Sequence, residues 1–268
     1  MNKLSSILFR NPLSGLNSSF NRVKGFFLEL FKSSIIEAII VFTMVLAASF
    51  FTKSIMPVIP LAFLILGKNF FLRIISMSFR RSTFPFKNAM VIIINFLMAA
   101  QFAFLFNSLV ITLLHEMGHA LAAYGMYVNP SPFITIFPFS GGETSYITDK
   151  LSFLGSLFGE KIANAIIAGA GCFITLLFSF LLLFLSRKKK QSSQLYAYLT
   201  TTAIYGLSAD ALYAGSAIKS TAAGHDFVGL WEIGIHPFLS AIFLLLSPIL
   251  FSLLIKVKSP RRQKSLSY

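Results

Sequence analysis

Long apolar segments recur along this chain and restrict its fold more than any other feature of the sequence. Of its 268 residues, 56% are hydrophobic and 12% are charged, about half the charged share of a soluble domain. The mean hydropathy is +0.76. Because each membrane span takes roughly 20 residues, this length predicts an all-α integral membrane helical bundle of about six or seven transmembrane segments.

The basic residues form short clusters beside the apolar segments and account for a net charge of +14. In a soluble protein such a charge would suggest nucleic acid as a partner. Basic residues next to membrane spans instead indicate the cytoplasmic side of the membrane and contact with anionic lipids. We therefore expect anionic lipids as partners and no nucleic acid.

The apolar and basic segments divide the chain into three parts. These are a basic interfacial or cytoplasmic lead-in at 1–33, a membrane-embedded domain at 34–255 and a basic tail at 256–268. The predicted spans are 34–51, 88–105, 107–126, 161–186, 194–218 and 237–255.

Interruptions in the apolar pattern decide two boundaries of this division. The stretch 54–67 contains two prolines and is interpreted as a kinked span or a re-entrant piece, followed by a basic linker at 68–87. The apolar region 88–127 would measure about 60 Å as one helix, twice the hydrocarbon thickness, so we divide it near 101–107. The three spans between the basic linker and the basic cluster after 161–186 place both 128–150 and that cluster in the cytoplasm, which conflicts with a single crossing at 161–186.

Residues 128–150 change character, with prolines and glycines among β-forming residues such as Phe133–Phe137. This composition predicts a short extended, hairpin-like segment with a turn at Gly141-Gly142 before Glu143. Backbone groups need hydrogen-bond partners in lipid, so this segment should pack on protein or line a water-filled cavity.

The residues His115-Glu116-Met117-Gly118-His119 form a HExxH motif inside one of the apolar segments. On a helix the two histidines lie four residues apart on one face and can bind a single Zn²⁺ ion. Glu116 can then act as a general base toward a metal-bound water. Gly118 would let a neighbouring helix or strand approach closely. The alternative is a pair of structural histidines beside a partnered glutamate, although three ionisable side chains are costly at membrane depth.

A catalytic zinc also needs a third protein ligand and an open position for water. The downstream candidates are Glu143, Asp210, His225, Asp226, Glu232 and His236. We choose Asp226, because Gly224 and His225 offer a flexible approach to it and an unwound helix start could project its carboxylate into the bundle. Asp210 is the alternative ligand, or an acceptor for the outer nitrogen of a zinc-bound histidine.

Four further residues lie on the predicted span at 161–186. Asn164, Gly169 and Gly171 allow tight packing against the motif helix, and Asn164 could hydrogen-bond a substrate backbone. Cys172 is the single cysteine, which excludes an internal disulfide, and it is interpreted as a packing residue.

Together these residues resemble the site-2 protease family of intramembrane zinc metalloproteases. The matching stretches are His115-Glu116-Met117-Gly118-His119-Ala120, Pro138-Phe139-Ser140-Gly141-Gly142 and Ala168-Gly169-Ala170-Gly171. The family's third-ligand motif, an aspartate followed by glycine, is absent, and Asp226 is its nearest counterpart. The resemblance implies a zinc endopeptidase that hydrolyses peptide bonds in or near a transmembrane helix of a membrane protein substrate. It also implies that the hairpin-like segment holds the unwound substrate by β-addition.

The expected location is the bacterial inner (cytoplasmic) membrane. Two other functions stay open at this point. One is a membrane HExxH peptidase with a glutamate as third ligand, for which Glu232 or Glu143 would be needed. The other is a non-catalytic membrane binding or transport protein with a metal site.

Overall fold

The structure is a computed structural model that describes residues 24–25, 28, 35–43, 58–83, 85–137, 139–189, 193–219 and 225–257. Most of the predicted lead-in at 1–33 and of the basic tail at 256–268 lies outside these residues. Of the predicted span 34–51, only 35–43 is described, and it is helical.

The described residues are mostly helical, as predicted, with a small two-stranded sheet. The helices are α1 (Val58–Arg81), α2 (Lys87–Phe106), α3 (Thr112–Met126), α4 (Phe153–Phe158), α5 (Glu160–Ser186), α6 (Gln194–Ser216), α7 (Asp226–Glu232) and α8 (Pro237–Val257). The strands are β1 (Phe133–Phe137) and β2 (Gly141–Ser145).

Three helices within the described residues are long and apolar enough to cross a membrane. They cover Lys87–Met126, Glu160–Ser186 and Pro237–Leu254. The last two agree with the predicted spans 161–186 and 237–255. The predicted span at 194–218 is helical over nearly its whole length, as α6, but is not one of the three.

The predicted break near 101–107 is wrong, because Lys87–Met126 is one continuous helix of 40 residues. A π-helical turn, Asn107–Ile111, joins α2 to α3, and the backbone keeps helical dihedral angles on both sides of it. The Asn107 amide donates to the carbonyl of Ala103 at 2.8 Å, so this polar side chain bonds within the helix instead of ending it. Two candidate crossings, not three, then separate the two basic clusters, which removes the conflict with the positive-inside rule.

The predicted basic linker at 68–87 is also wrong over most of its length, because α1 continues to Arg81. Arg73 lies in the middle of this helix and is buried against the carboxylate of Glu37. Asn69 also donates to Glu37, and the Tyr198 hydroxyl donates to it at 2.8 Å. A charge that would interrupt a buried helix is therefore neutralised by a partner far away in the sequence.

The predicted hairpin is confirmed as an antiparallel pair whose register runs from Phe133↔Ser145 to Phe137↔Gly141. The predicted turn at Gly141-Gly142 is wrong: Phe139 and Ser140 form a turn, and both glycines lie in β2. Strand β2 packs against α3, as expected for polar backbone at membrane depth. A Cβ atom at Gly142 would lie 2.6 Å from Cγ of Glu116, so any larger residue there would displace the Glu116 side chain.

The motif helix α3 lies against α5 at backbone distance. A Cβ atom at Gly118 would be 2.6 Å from the carbonyl oxygen of Ala170 and 3.0 Å from Cα of Gly171. The close approach predicted for Gly118 is thus confirmed, with α5 as the neighbour. Because the two helices meet through glycine and alanine, the histidines of α3 face α5 directly.

Candidate metal centre

The two histidines and the glutamate of the motif are buried on the inner side of α3. His115 is 8% exposed, Glu116 6% and His119 6%. Asp226 is the first residue of α7, and its Oδ2 atom lies 3.1 Å from Nε2 of His115 and 3.3 Å from Nε2 of His119. The structure thus brings together the two histidines and the aspartate that we singled out from the sequence.

The two separations from Asp226 are close to those between ligands of one shared metal ion. Zinc binds imidazole nitrogen and carboxylate oxygen at about 2.0–2.1 Å in tetrahedral geometry, so two such ligands lie about 3.3–3.4 Å apart. The observed distances of 3.1 and 3.3 Å are close to that spacing. Two nitrogens and one carboxylate oxygen would leave the fourth position of a tetrahedral ion open.

Gly171 of α5 provides space beside the histidine nitrogens. A Cβ atom there would lie 2.5 Å from Nε2 of His119 and 2.6 Å from Nε2 of His115. Any larger residue would fill the volume in which a metal ion and its ligands must fit. The tight packing predicted for Gly171 is confirmed, and its contact is with the imidazoles themselves.

Hydrogen bonds at the outer nitrogens orient both imidazoles. Nδ1 of His119 lies 2.7 Å from the carbonyl oxygen of Ile167, which can only accept, so Nδ1 carries the proton and Nε2 is left as a ligand atom. Nδ1 of His115 lies 3.3 Å from Oγ1 of Thr175 and 3.8 Å from Oδ1 of Asp210.

The charge of Asp226 suits a metal ligand. Burial raises the pKa of its carboxyl group, but hydrogen bonds with His115 and His119 outweigh burial and hold the pKa at about 2. The side chain is therefore an anionic carboxylate, the form in which aspartate binds a metal.

Glu116 is held from the opposite side by strand β2. The hydroxyl group of Thr144 lies 2.7 Å from Oε2 of Glu116 and 3.0 Å from its backbone carbonyl. The hairpin thereby fixes the carboxylate next to the histidine pair. His115, Glu116 and His119 also form a group whose ligand atoms all lie within 4.8 Å of one another.

Among the described residues, none of the other third-ligand candidates has a hydrogen bond or ion pair with either Nε2 atom. Asp210 approaches the outer nitrogen of His115, not the inner one, which agrees with its alternative assignment as an acceptor. Glu143, Glu232 and His225 line the surrounding cavity. His236 instead makes an edge-to-face contact with Trp231.

Cys172 belongs to a second possible metal group, with His115 and Asp226. It also packs in a buried apolar cluster with Leu207 and Phe227, as its predicted packing role requires. The chemistry of this grouping differs from that of the HExxH pair, because a thiolate would have to form in apolar surroundings.

A cavity of about 710 Å³ opens beside the centre. Its wall includes the four hairpin residues from Gly141 to Thr144 as well as the three motif side chains. Asn164 also lines it, and the Tyr127 hydroxyl donates to the Asn164 amide oxygen at 2.7 Å. An extended peptide therefore has space to lie between the hairpin and the candidate ligands.

Sequence reasoning missed three groups of the site: the hydroxyls of Thr144 and Thr175 and the carbonyl of Ile167. A signal existed for two of them, since Ile167, Gly171 and Thr175 are spaced four residues apart and share one face of α5. No comparable signal marks Thr144, whose position depends on how the hairpin packs. No protein-family model, curated protein or solved structure matches this chain, so the functional assignment rests on the geometry of the centre.

Proposed function

We propose that this protein is a zinc metalloendopeptidase that hydrolyses peptide bonds in or near the transmembrane segments of membrane protein substrates. The proposal also places it in the site-2 protease-like family. One observation carries it: a single carboxylate oxygen of Asp226 lies 3.1 and 3.3 Å from the inner nitrogens of the HExxH histidines. That arrangement supports zinc as the ion, because zinc favours tetrahedral nitrogen and carboxylate ligands with one open position.

His115, His119 and Asp226 would hold the ion, which when bound polarises the scissile carbonyl and lowers the pKa of water to about 7. Glu116 would accept the proton of the attacking water and deliver it to the departing amine. The hydrogen bond from Thr144 supports this role, because it holds the carboxylate in place beside the open side of the centre.

The hairpin supports a peptide as the substrate. Strand β2 is paired with β1 along one edge, and its residues line the cavity next to Glu116. A substrate unwound into an extended conformation would add to the free edge, where backbone hydrogen bonds bind it regardless of side chain. Asn164, whose amide oxygen is engaged by Tyr127, would offer its amide hydrogens to a substrate carbonyl.

The location in the proposal is the bacterial inner (cytoplasmic) membrane, with about six or seven transmembrane segments and anionic lipids at the basic clusters. Three long apolar helices support a membrane location. Further segments would come from helices α1 and α6 and from the helix at 35–43, which pack on this core.

Glu116→Gln tests the proposal. We expect the purified full chain to bind about one zinc, and the variant to keep that zinc while losing cleavage of single-span peptides in proteoliposomes, measured by mass spectrometry. The matched control is Glu160→Gln, since Glu160 is exposed at the start of α5 and does not line the cavity. Undiminished cleavage by Glu116→Gln would contradict the general-base role. Zinc binding without any cleavage by the unchanged protein would favour a non-catalytic metal-binding protein.

A further inference from the structure

We infer that Asp210 is a positioning residue, which orients His115 for metal binding through the hydroxyl group of Thr175. This inference rests on the proposed metal centre but not on the identity of the substrate. It assigns a role to a buried carboxylate that the ligand set and the general base leave unexplained.

The three side chains form one connected set. Nδ1 of His115 lies 3.3 Å from Oγ1 of Thr175 and 3.8 Å from Oδ1 of Asp210. Thr175 is fully buried and Asp210 is 9% exposed. A hydroxyl group accepts and donates at once, so Thr175 can accept from Nδ1–H of His115 while it donates to the carboxylate.

The negative charge of Asp210 favours one direction of the hydrogen bond between His115 and Thr175. The Thr175 hydroxyl has a second acceptor, the carbonyl oxygen of Gly171 at 3.2 Å. Oδ1 of Asp210 also lies 3.8 Å from Nδ1 of His115, so its negative charge favours a proton on that nitrogen. A proton on Nδ1 leaves Nε2, the nitrogen that faces Asp226, free to bind a metal.

The other histidine provides an internal comparison. The outer nitrogen of His119 is held by the backbone carbonyl of Ile167, whose position is fixed by helix α5 itself. His115 has no such backbone acceptor among its described contacts and depends on two side chains from α5 and α6. The imidazole of His119 is therefore oriented by the backbone, whereas that of His115 is oriented by side chains that a substitution can remove.

Two further observations favour a positioning role. Oδ2 of Asp210 is buried without a hydrogen-bond partner in the part of the chain that is described. A buried anion in this condition requires a nearby positive charge, which an ion bound by His115 would supply. Asp210 also lies on the Nδ1 side of His115, opposite the nitrogen that points to Asp226, so it is not placed to share the same ion.

The test is zinc affinity of the full chain in detergent, measured by competition with a chromophoric chelator and zinc alone as the probe. We expect Asp210→Asn and Thr175→Val each to weaken zinc binding about 10- to 100-fold, the usual effect of removing such an outer hydrogen-bond partner. Thr175→Ser keeps the hydroxyl and should restore affinity. Thr202→Val is the matched control, because its buried hydroxyl has no described hydrogen-bond partner.

Zinc affinities within about twofold of the unchanged protein for both Asp210→Asn and Thr175→Val would overturn the inference. A zinc-edge spectrum that loses one oxygen ligand in Asp210→Asn would overturn it too, by making Asp210 a direct ligand. If Asp210→Asn fails to fold, the Thr175 valine and serine pair still decides the outcome. None of these measurements needs a substrate, so failure of the inference and failure of the Glu116 test are separate results.

Discussion

Two regions of this molecule bury charged side chains, and they do so in opposite ways. The Glu37–Arg73 pair is neutral as a unit, and its remaining hydrogen-bonding capacity is taken up by Asn69 and Tyr198. The candidate metal centre instead places the Asp226 carboxylate beside two histidines and adds Asp210 with an unpartnered oxygen. The first group is neutral without any bound ion, whereas the second carries two carboxylates whose charge a bound cation would balance.

The largest effect that would test this comparison is expected at Gly171. Gly171→Ala places a methyl group within 2.6 Å of both inner nitrogens, so it should reduce the zinc content from about one ion per chain to nearly none. Gly169→Ala is the matched control on the same helix, because its Cβ atom would make only ordinary contact, at 3.4 Å, with Leu230. Elemental analysis of both purified variants measures the effect. Full zinc content in Gly171→Ala would show that the metal lies elsewhere.

The next effect concerns the Glu37–Arg73 pair and should leave the metal untouched. Arg73→Met strands the Glu37 carboxylate in a buried site, which we expect to destabilise the protein by about 3–5 kcal/mol. The double variant Glu37→Leu with Arg73→Met should recover most of that loss. Unfolding in mixed detergent micelles measures stability, and zinc content should stay near one in both. A loss of zinc in the double variant would show that the two regions do not act separately.

The smallest effect is expected at Thr144, which links the hairpin to the general base. Thr144→Val removes a hydrogen bond to a carboxylate, worth about 1.5–3 kcal/mol, and should lower kcat by roughly 10- to 100-fold with zinc retained. Thr144→Ser should recover the rate, because the hydroxyl group alone makes the contact. Equal loss of activity in the serine and valine variants would indicate that Thr144 matters for hairpin packing rather than for Glu116.

Much of the fold could be predicted from apolar runs alone. Helices α5 and α8 lie within a few residues of the predicted spans, and the hairpin was expected from its β-forming residues. The errors occurred where polar residues were interpreted as breaks. Helix α1 continues through Arg73 because Glu37 neutralises the charge of this side chain. The long helix continues through Asn107 because a π-helical turn accommodates this residue and its amide hydrogen-bonds within the helix. Neither compensation is visible in a hydropathy pattern.

The site residues also divide into those that the sequence predicts and those whose role depends on helix packing. His115, Glu116 and His119 follow from local spacing, since four residues on a helix place two side chains on one face. Asp226 is 111 residues away from His115, and chemistry alone indicated it among six candidates. Its selection over Asp210 depends on which nitrogen of His115 each carboxylate meets, which is a property of helix packing.

The sequence by itself determined that the chain is a helical membrane-type protein with two histidines spaced to bind one metal ion and a carboxylate next to them. The spacing of apolar residues and the chemistry of side chains are local properties, so both can be inferred without the tertiary structure. Only the tertiary structure decided that Asp226 faces the inner nitrogens, that Thr144 holds Glu116 and that Thr175 lies between His115 and Asp210. These contacts join α3 to the hairpin, α5, α6 and α7, and their distances depend on the close approach of backbones that Gly118, Gly142 and Gly171 permit.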